Sequence, residues 1–158
     1  MIVSPTGVEA SGAVGDVTIS VTTPQSFGNA AQQTVYTILN GNISAGVYDD
    51  VPFLPEGKPR EDFPYVVIGE DTSRPWDTDD TVGQAVSIDL HVWSRTAGMK
   101  ETKTIMGEIF DLLHRASPTI SHYNVVDCLC IRQLTTINPD GRTRLGVMTF
   151  TLTLQKTS

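Results

Sequence analysis

The sequence predicts an α+β domain with a single, mainly antiparallel β-sheet and two amphipathic helices packed on one face. Three observations carry this. Two stretches place apolar residues at helical spacing, two others alternate apolar with polar residues, and an Asn-Pro-Asp-Gly segment joins the last two extended stretches as a hairpin turn. The order is helix, short strand, two strands, helix, two strands. That order sorts into one sheet with helices on one side.

Residues 1–25 are rich in Gly, Ser, Thr, Val and Pro and supply few large side chains to bury. They predict an extended arm ahead of a domain spanning 26–158. Within the arm, the small alternation at 17–21 makes a short strand that needs a sheet edge to pair with. Docking on a neighbouring subunit and a disordered tail are both open readings. Ser26 then caps a helix running to Leu39, with Phe27, Ala31, Val35, Ile38 and Leu39 as its apolar stripe. Asn40-Gly41-Asn42 stops it. A short apolar piece at 47–53 leads to a loop at 54–60, where Pro55, Gly57 and Pro59 break regular structure.

Tyr65, Val66, Val67, Ile68 and Gly69 form a β-rich run bounded by Pro64. It leads into an acidic loop at 70–81 carrying Glu70, Asp71, Asp77, Asp79 and Asp80. In 84–95 the alternation is clean: Val86, Ile88, Leu90 and Val92 face one way, Ser87, Asp89, His91 and Trp93 the other. The second set is left for solvent or a partner. Thr96-Ala97-Gly98 opens a second helix with Met99, Ile105, Met106, Ile109, Phe110, Leu112 and Leu113 on one face. Lys100, Glu101, Lys103, Glu108 and Asp111 lie mostly opposite, and Pro118 limits the extension. Strands at 124–136 and 144–155 finish the chain, joined by Asn138-Pro139-Asp140-Gly141. On the last, Met148, Phe150, Leu152 and Leu154 alternate with Thr149, Thr151 and Thr153.

Composition sets further bounds. With 158 residues and 39% hydrophobic content, the chain suits one globular unit with one core. The net charge of −7 and a pI near 4.7 repel polyanions, which argues against nucleic-acid recognition as a primary role. No basic region followed by an apolar run opens the chain, and no stretch approaches a spanning helix, so a soluble protein is expected. Cys128 and Cys130 lie two apart on one strand, pointing to the same face at the edge of disulfide reach. Reduced, buried thiols are expected.

Catalytic signals are weak. Asp77-Thr78-Asp79-Asp80 departs from a calcium loop, with Val82 where glycine is needed and Ile88 where glutamate is needed. His91, His114 and His122 show no metal-ligand spacing, and His114 near a helix C-terminus is explained by the helix dipole. Cys128 and Cys130 lack the tight four-ligand pattern of structural zinc and any local activating base. A small metal-dependent enzyme using Asp77, Asp79, Asp80 and His91 is the second reading. Arg74 and Trp76 flank Pro75, while Arg142 and Arg144 sit beside the hairpin turn. Arg and Trp are the residue types that anchor interfaces. The plainer alternative folds Trp76 over the sheet edge and pairs Arg74 with Asp71 or Asp77.

Taken together, PYVVIGEDTSRPWDT, the strand LHVWSR, the helix start AGMKETK and the late NPDGRTRLGVMTF resemble the phage tail completion and tail terminator family, over about residues 30–154. The resemblance implies a structural virion protein, not an enzyme, with no cofactor or metal. It implies a ring, usually a hexamer, that caps the tail tube, ends its polymerisation and presents a surface for head-connector attachment. Implied partners are further copies of itself, the tail tube protein and the head-tail connector protein. DNA passes through the ring without sequence-specific contact, and no membrane is involved. The implied location is the neck-proximal end of the virion tail, after assembly in the host cytoplasm. A head-to-tail adaptor or other neck protein is the neighbouring alternative. Under this resemblance Arg74, Trp76, Asp77, Trp93, Arg95, Arg142 and Arg144 are the candidate contacts to a subunit or the tube, and a negative chain suits a conduit for DNA.

Overall fold

The protein is seen here as a computed structural model that describes residues 10–11, 18–19, 26–49 and 63–157. In chain order its elements are β1 (Ala10–Ser11), β2 (Thr18–Ile19), α1 (Phe27–Leu39), β3 (Gly46–Tyr48) and β4 (Tyr65–Pro75). There follow β5 (Gly83–Ser94), α2 (Lys100–Leu113), β6 (Thr119–Ile120), β7 (Tyr123–Ile137) and β8 (Arg144–Lys156). The strands form one sheet in the order β1-β2-β6-β7-β8-β5-β4-β3. Only β2 beside β6 and β3 beside β4 run parallel; the other pairs are antiparallel. The expected α+β class is what the structure shows.

β5 organises the sheet because its alternation decides both faces. Val86, Ile88, Leu90 and Val92 are buried on one side, while Ser87, Asp89, His91 and Trp93 are half-buried on the other. Pairing with β8 sets Ile88 opposite Phe150 and Leu90 opposite Met148. Pairing with β4 sets Val66 opposite Val92 and Ile68 opposite Leu90. The resulting apolar face is covered by both helices, and the core is one continuous cluster.

The helices are placed by caps and by two side-chain ties. Ser26 Oγ accepts from the Asn29 N–H at 3.1 Å, which caps α1 as expected, and Gly41 at φ +81° turns the chain out of the helix. Ala30, Ala31, Val35, Ile38 and Leu39 are its buried stripe. α2 starts at Lys100 and not at Thr96. The Thr96 N–H turns back to Ser94 Oγ at 3.2 Å and Gly98 is left-handed at φ +80°, so residues 96–99 form a turn ahead of the helix. Ser94 also donates to Glu101 in the first turn of α2. Ser44 donates its N–H and O–H to Glu108 at 3.0 and 2.8 Å, tying α2 to the segment after α1.

The main departure from the expected layout is at β4. The acidic loop expected at 70–81 is shorter, because residues 70–75 continue the strand as far as Pro75, opposite Gln84. A register shift between Ile68 and Asp71 turns Asp71 to the helix face, opposite Ile88. Its carboxylate lies over Gly28 near the N-terminus of α1, where a Cβ on residue 28 would come within 2.7 Å of Oδ2. A negative group there is favoured by the helix dipole. Of the apolar piece at 47–53, Val47 and Tyr48 join β3; the loop at 54–60 and most of the arm lie outside the described residues. Thr18–Ile19, within the expected arm strand, pairs parallel with β6, so the sheet edge it needs is supplied by its own chain.

Phe150 is fully buried at the centre of β8. Phe150→Ala is therefore expected to lower unfolding free energy by about 3–5 kcal/mol in a denaturant titration. A loss below about 1 kcal/mol would contradict a closed core at that point.

Candidate functional site

The seven candidate contact residues separate into two groups at opposite ends of the sheet. Arg74, Trp76 and Asp77 belong to the β4–β5 hairpin. The Trp76 N–H donates to the Gly83 carbonyl at 2.9 Å, and the Gly83 N–H donates back to Asp77 Oδ1 at 2.9 Å. Asp77 is thus a turn-closing acceptor. The Thr78 N–H donates to Thr81 O at 2.9 Å, and Asp80 Oδ1 accepts from the Thr81 and Thr78 hydroxyls at 3.1 and 3.3 Å. Trp76 is 40% exposed. Arg74 lies opposite Ala85 on the helix-free face, whereas Asp71 lies on the helix face; the two do not share a side.

At the other end, Trp93 and Arg95 meet the β7–β8 turn. Trp93 stands between Tyr65 and Leu145 in the register. The Arg95 guanidinium sits 4.6 Å over the Phe63 ring, and its Nε donates to Thr143 Oγ1 at 3.4 Å. Phe63 packs on Tyr65 at 5.1 Å and Tyr48 meets Tyr65 at 6.1 Å, which makes an aromatic cluster over this end of the helix-free face. In the turn, Gly141 takes φ +70°. Asp140 accepts from the Thr143 hydroxyl, from the Thr143 N–H at 2.8 Å and from the Arg142 N–H at 2.9 Å, and these donors hold its carboxyl well below the usual range. Arg144 donates to the Arg142 and Gly141 carbonyls at 3.0 and 3.3 Å, which is a structural role within its own turn. Arg142 is exposed.

Between the two ends, the helix-free face is hydroxyl-rich. Ser87 and Thr151 share a hydrogen bond of 2.8 Å, and Thr149 donates to Asp89 at 2.6 Å. His91 lies on this face opposite Val67. Eight residues of strand separate it from Gly83, about 26 Å at β rise, so it does not join Asp77, Asp79 and Asp80. Among the described residues, no three His, Cys, Asp or Glu side chains gather as a metal set. No helix among them is long and apolar enough to cross a membrane.

Sequence reasoning missed the far edge of β7. Val126, Ile131, Leu134 and Ile137 are exposed along it, and an open groove of about 520 Å³ runs between this strand and α2. Its signal lay in the broken alternation at Val125-Val126 and Cys130-Ile131, where the ladder with β8 shifts register. Nearer the strand's start the edge is occupied: the Arg115 N–H donates to Cys128 O at 2.7 Å, and the Cys130 N–H donates to His114 Nδ1 at 3.1 Å. His114 therefore accepts a bond here and stacks on Phe110 at 4.4 Å.

A helix-covered sheet with aromatic and arginine groups at both ends defines an assembly module more readily than a catalytic centre. The comparisons agree, and the chain belongs to the family Tail completion protein gp17, which matches residues 29–155. The family implies a structural role in the virion and not catalysis. The tail completion protein gp17 of Bacillus phage SPP1 is 26% identical over 92 residues, covering 58% of this chain and 68% of that protein. A chain from the virion of a native gene transfer agent particle shares the fold, with a TM-score of 0.63 and 18% identity over 82% of this chain and 94% of that one.

Cys128 and Cys130 are free thiols on one face of β7, opposite Leu152 and Phe150. Burial first, then the Asp127 carboxylate, then Cys130 push the Cys128 thiol from 9.0 up to about 12. The folded chain holds that proton more tightly, so the associated stability is complete below pH 9 and is lost as pH rises toward 12. Cys128→Ala should lower stability at neutral pH yet flatten the alkaline decline in urea titrations. An unchanged decline would assign it to Tyr65 and Tyr123, whose hydroxyls burial also pushes up.

Proposed function

We propose that this chain forms a ring that closes the head-proximal end of a tail tube, ends tube growth and offers its other side to the head connector. The observation that carries this beyond family membership is the separation of contact groups: Arg74, Trp76 and Asp77 at one end of the sheet, Trp93, Arg95, Arg142 and the aromatic cluster at the other. A protein joining two different partners along one axis needs two chemically distinct ends. Both ends here carry tryptophan and arginine, the types that dominate interface energetics. Asp77 and Arg144 shape their turns, which leaves Trp76, Trp93, Arg95 and Arg142 as the stronger contacts.

The helix-free face lines the bore in this reading. Its central row of Ser87, Thr149 and Thr151 with Asp89 offers hydroxyls and negative charge, with Arg74 and Arg132 on the strands to either side. DNA then moves through without being bound. Assembly of the ring, its attachment to the tube and its place in the virion neck follow from the same reading.

Deleting the gene and imaging the particles tests it: overlong or irregular tubes without heads are expected, and uniform tails of normal length would overturn it. A finer test uses Trp76→Ala, which removes an exposed side chain and should leave the melting temperature within a few degrees of wild type. Yield of joined particles should fall at least about tenfold, corresponding to about 1.4 kcal/mol of lost contact. Full yield would remove the hairpin end from the contact surface.

A further inference from the structure

We propose that Asn40 is a site of spontaneous covalent modification in the folded chain: its side-chain amide closes onto the Gly41 backbone nitrogen, loses ammonia, and opens with water to aspartyl and isoaspartyl forms. Water is the only co-reactant, and the site is independent of the ring reading above.

The reactive junction is set in the sequence. Of 13 glycines, only Gly41 and Gly141 follow an Asn or Asp. A glycine carries no Cβ to crowd its own nitrogen, so these two junctions are where the preceding side chain reaches that nitrogen most freely. The other asparagines, Asn29, Asn42, Asn124 and Asn138, precede Ala30, Ile43, Val125 and Pro139, and the proline has no N–H to lose.

The fold leaves the first junction open. Asn40 and Gly41 are both exposed, and a Cβ on Gly41 would meet nothing within 4 Å. Neither the Asn40 side-chain amide nor the Gly41 N–H has a hydrogen-bond partner among the described residues. Their neighbours hold the turn instead. The Asn40 N–H donates to Tyr36 O at 2.8 Å, the Asn42 N–H to Leu39 O at 3.0 Å, and Asn42 Nδ2 to Ile38 O at 2.9 Å. Asn40 sits at ψ 119°, which keeps its Cγ turned from the Gly41 nitrogen. Ring closure therefore waits on a rotation at the frayed end of a helix, where local opening costs little.

The second junction is closed by the same criteria. The Gly141 N–H donates to Asn138 O at 2.9 Å, and the Asp140 carboxylate accepts from the Arg142 and Thr143 N–H groups at 2.9 and 2.8 Å and from the Thr143 hydroxyl. Ring closure at an aspartate expels water and needs the protonated acid, the form these donors disfavour.

The step at Asn40 balances without a redox change. The Gly41 nitrogen gives up its proton and bonds to Asn40 Cγ, the Cγ–Nδ2 bond breaks, and ammonia leaves with that proton. Water then cleaves the five-membered ring at one of its two carbonyls. Cleavage on the side-chain side gives aspartate; cleavage on the main-chain side routes the backbone through Cβ and Cγ and lengthens it by one atom. Either product puts a carboxylate at the C-terminus of α1, the negative end of the helix dipole, where the last turn holds no basic residue. The longer backbone also strains the short path to Ser44, which ties this segment to Glu108 on α2. Conversion thus loosens the junction of the two helices.

Holding the full chain in mildly alkaline buffer at physiological temperature tests this, one series folded and one in guanidinium chloride, with peptide mass mapping and isoaspartyl methyltransferase labelling as readouts. In the folded series Asn40 should convert first of the asparagines, at most about tenfold slower than in denaturant, the slowing that an opening cost of about 1.4 kcal/mol imposes. Asp140 should isomerise only in denaturant. Slower conversion of folded Asn40 than that, or earlier conversion of another asparagine, would overturn the site; isomerisation of Asp140 in the folded chain would overturn the contrast between the junctions. Asn40→Gln, which cannot close the five-membered ring, should keep its melting temperature through the incubation, whereas the wild type should lose several degrees and Asn40→Asp should start lower than either. A fully converted wild type that melts with the fresh chain would overturn the loosening and leave the modification standing.

Discussion

The rest of the structure depends on the register of β5 against β8. Every residue of β5 is paired with one of β8, and a slip of one position would move Val86, Ile88, Leu90 and Val92 from the helices to the opposite face. With the register held, Phe150, Met148, Leu152 and Leu154 complete the same apolar surface, and α1 and α2 have one place to bury their stripes. Ser94 and Glu101 then settle where α2 begins, and Ser44 and Glu108 settle how it meets the end of α1. The two helices cover one face and leave the other for hydroxyls, because both halves of the alternation are already assigned.

The same register separates the ends of the molecule. Gly83 starts β5 beside the hairpin that carries Trp76, and Ser94 ends it beside the turn that carries Asp140 and Arg142. Local chemistry makes each end rigid in its own way. At the hairpin, Asp77 and Asp80 accept from nearby backbone and hydroxyl donors, which spends the acidic side chains on shape. At the turn, Asp140 does the same for Thr143 and Arg142, and Arg144 closes on two carbonyls. Residues that look like charged contacts in sequence are therefore partly scaffolding, while Trp76 remains exposed beside them.

What sequence made legible follows from what is locally encoded. Alternation in 84–95 and 144–155, the Ser26 cap and the Asn-Pro-Asp-Gly turn each carry their meaning within a few residues, and each appears in the structure nearly where expected. Residues 70–75 were not legible as strand because an edge strand exposed on both faces has no alternation to read, and its Glu, Asp, Thr, Ser and Arg look like a loop. β6 is a two-residue pairing with no pattern of its own. The grouping of the candidate site could not be read either, since Arg74 and Trp93 are near in sequence and far apart in space only once the β4–β5 ladder is known. The β7 edge was hidden because two bulges carry its apolar residues out of phase.

Those bulges explain why β7 does two jobs. Before Cys130 the strand buries Tyr123 and Cys128 and sets its outer edge against the turn after α2. After Cys130 the register shifts, Ile131 is exposed, and Gln133, Leu134 and Thr135 line the groove beside α2. A strand without the bulge would keep one face and one edge in a single regime along its length. Inserting one residue changes the local twist and lets the first half contribute to the core while the second is exposed. The Cys130–Arg132 irregularity is thus where β7 passes from its partly buried half to its exposed half, and its effect follows from backbone geometry more than from any single side chain.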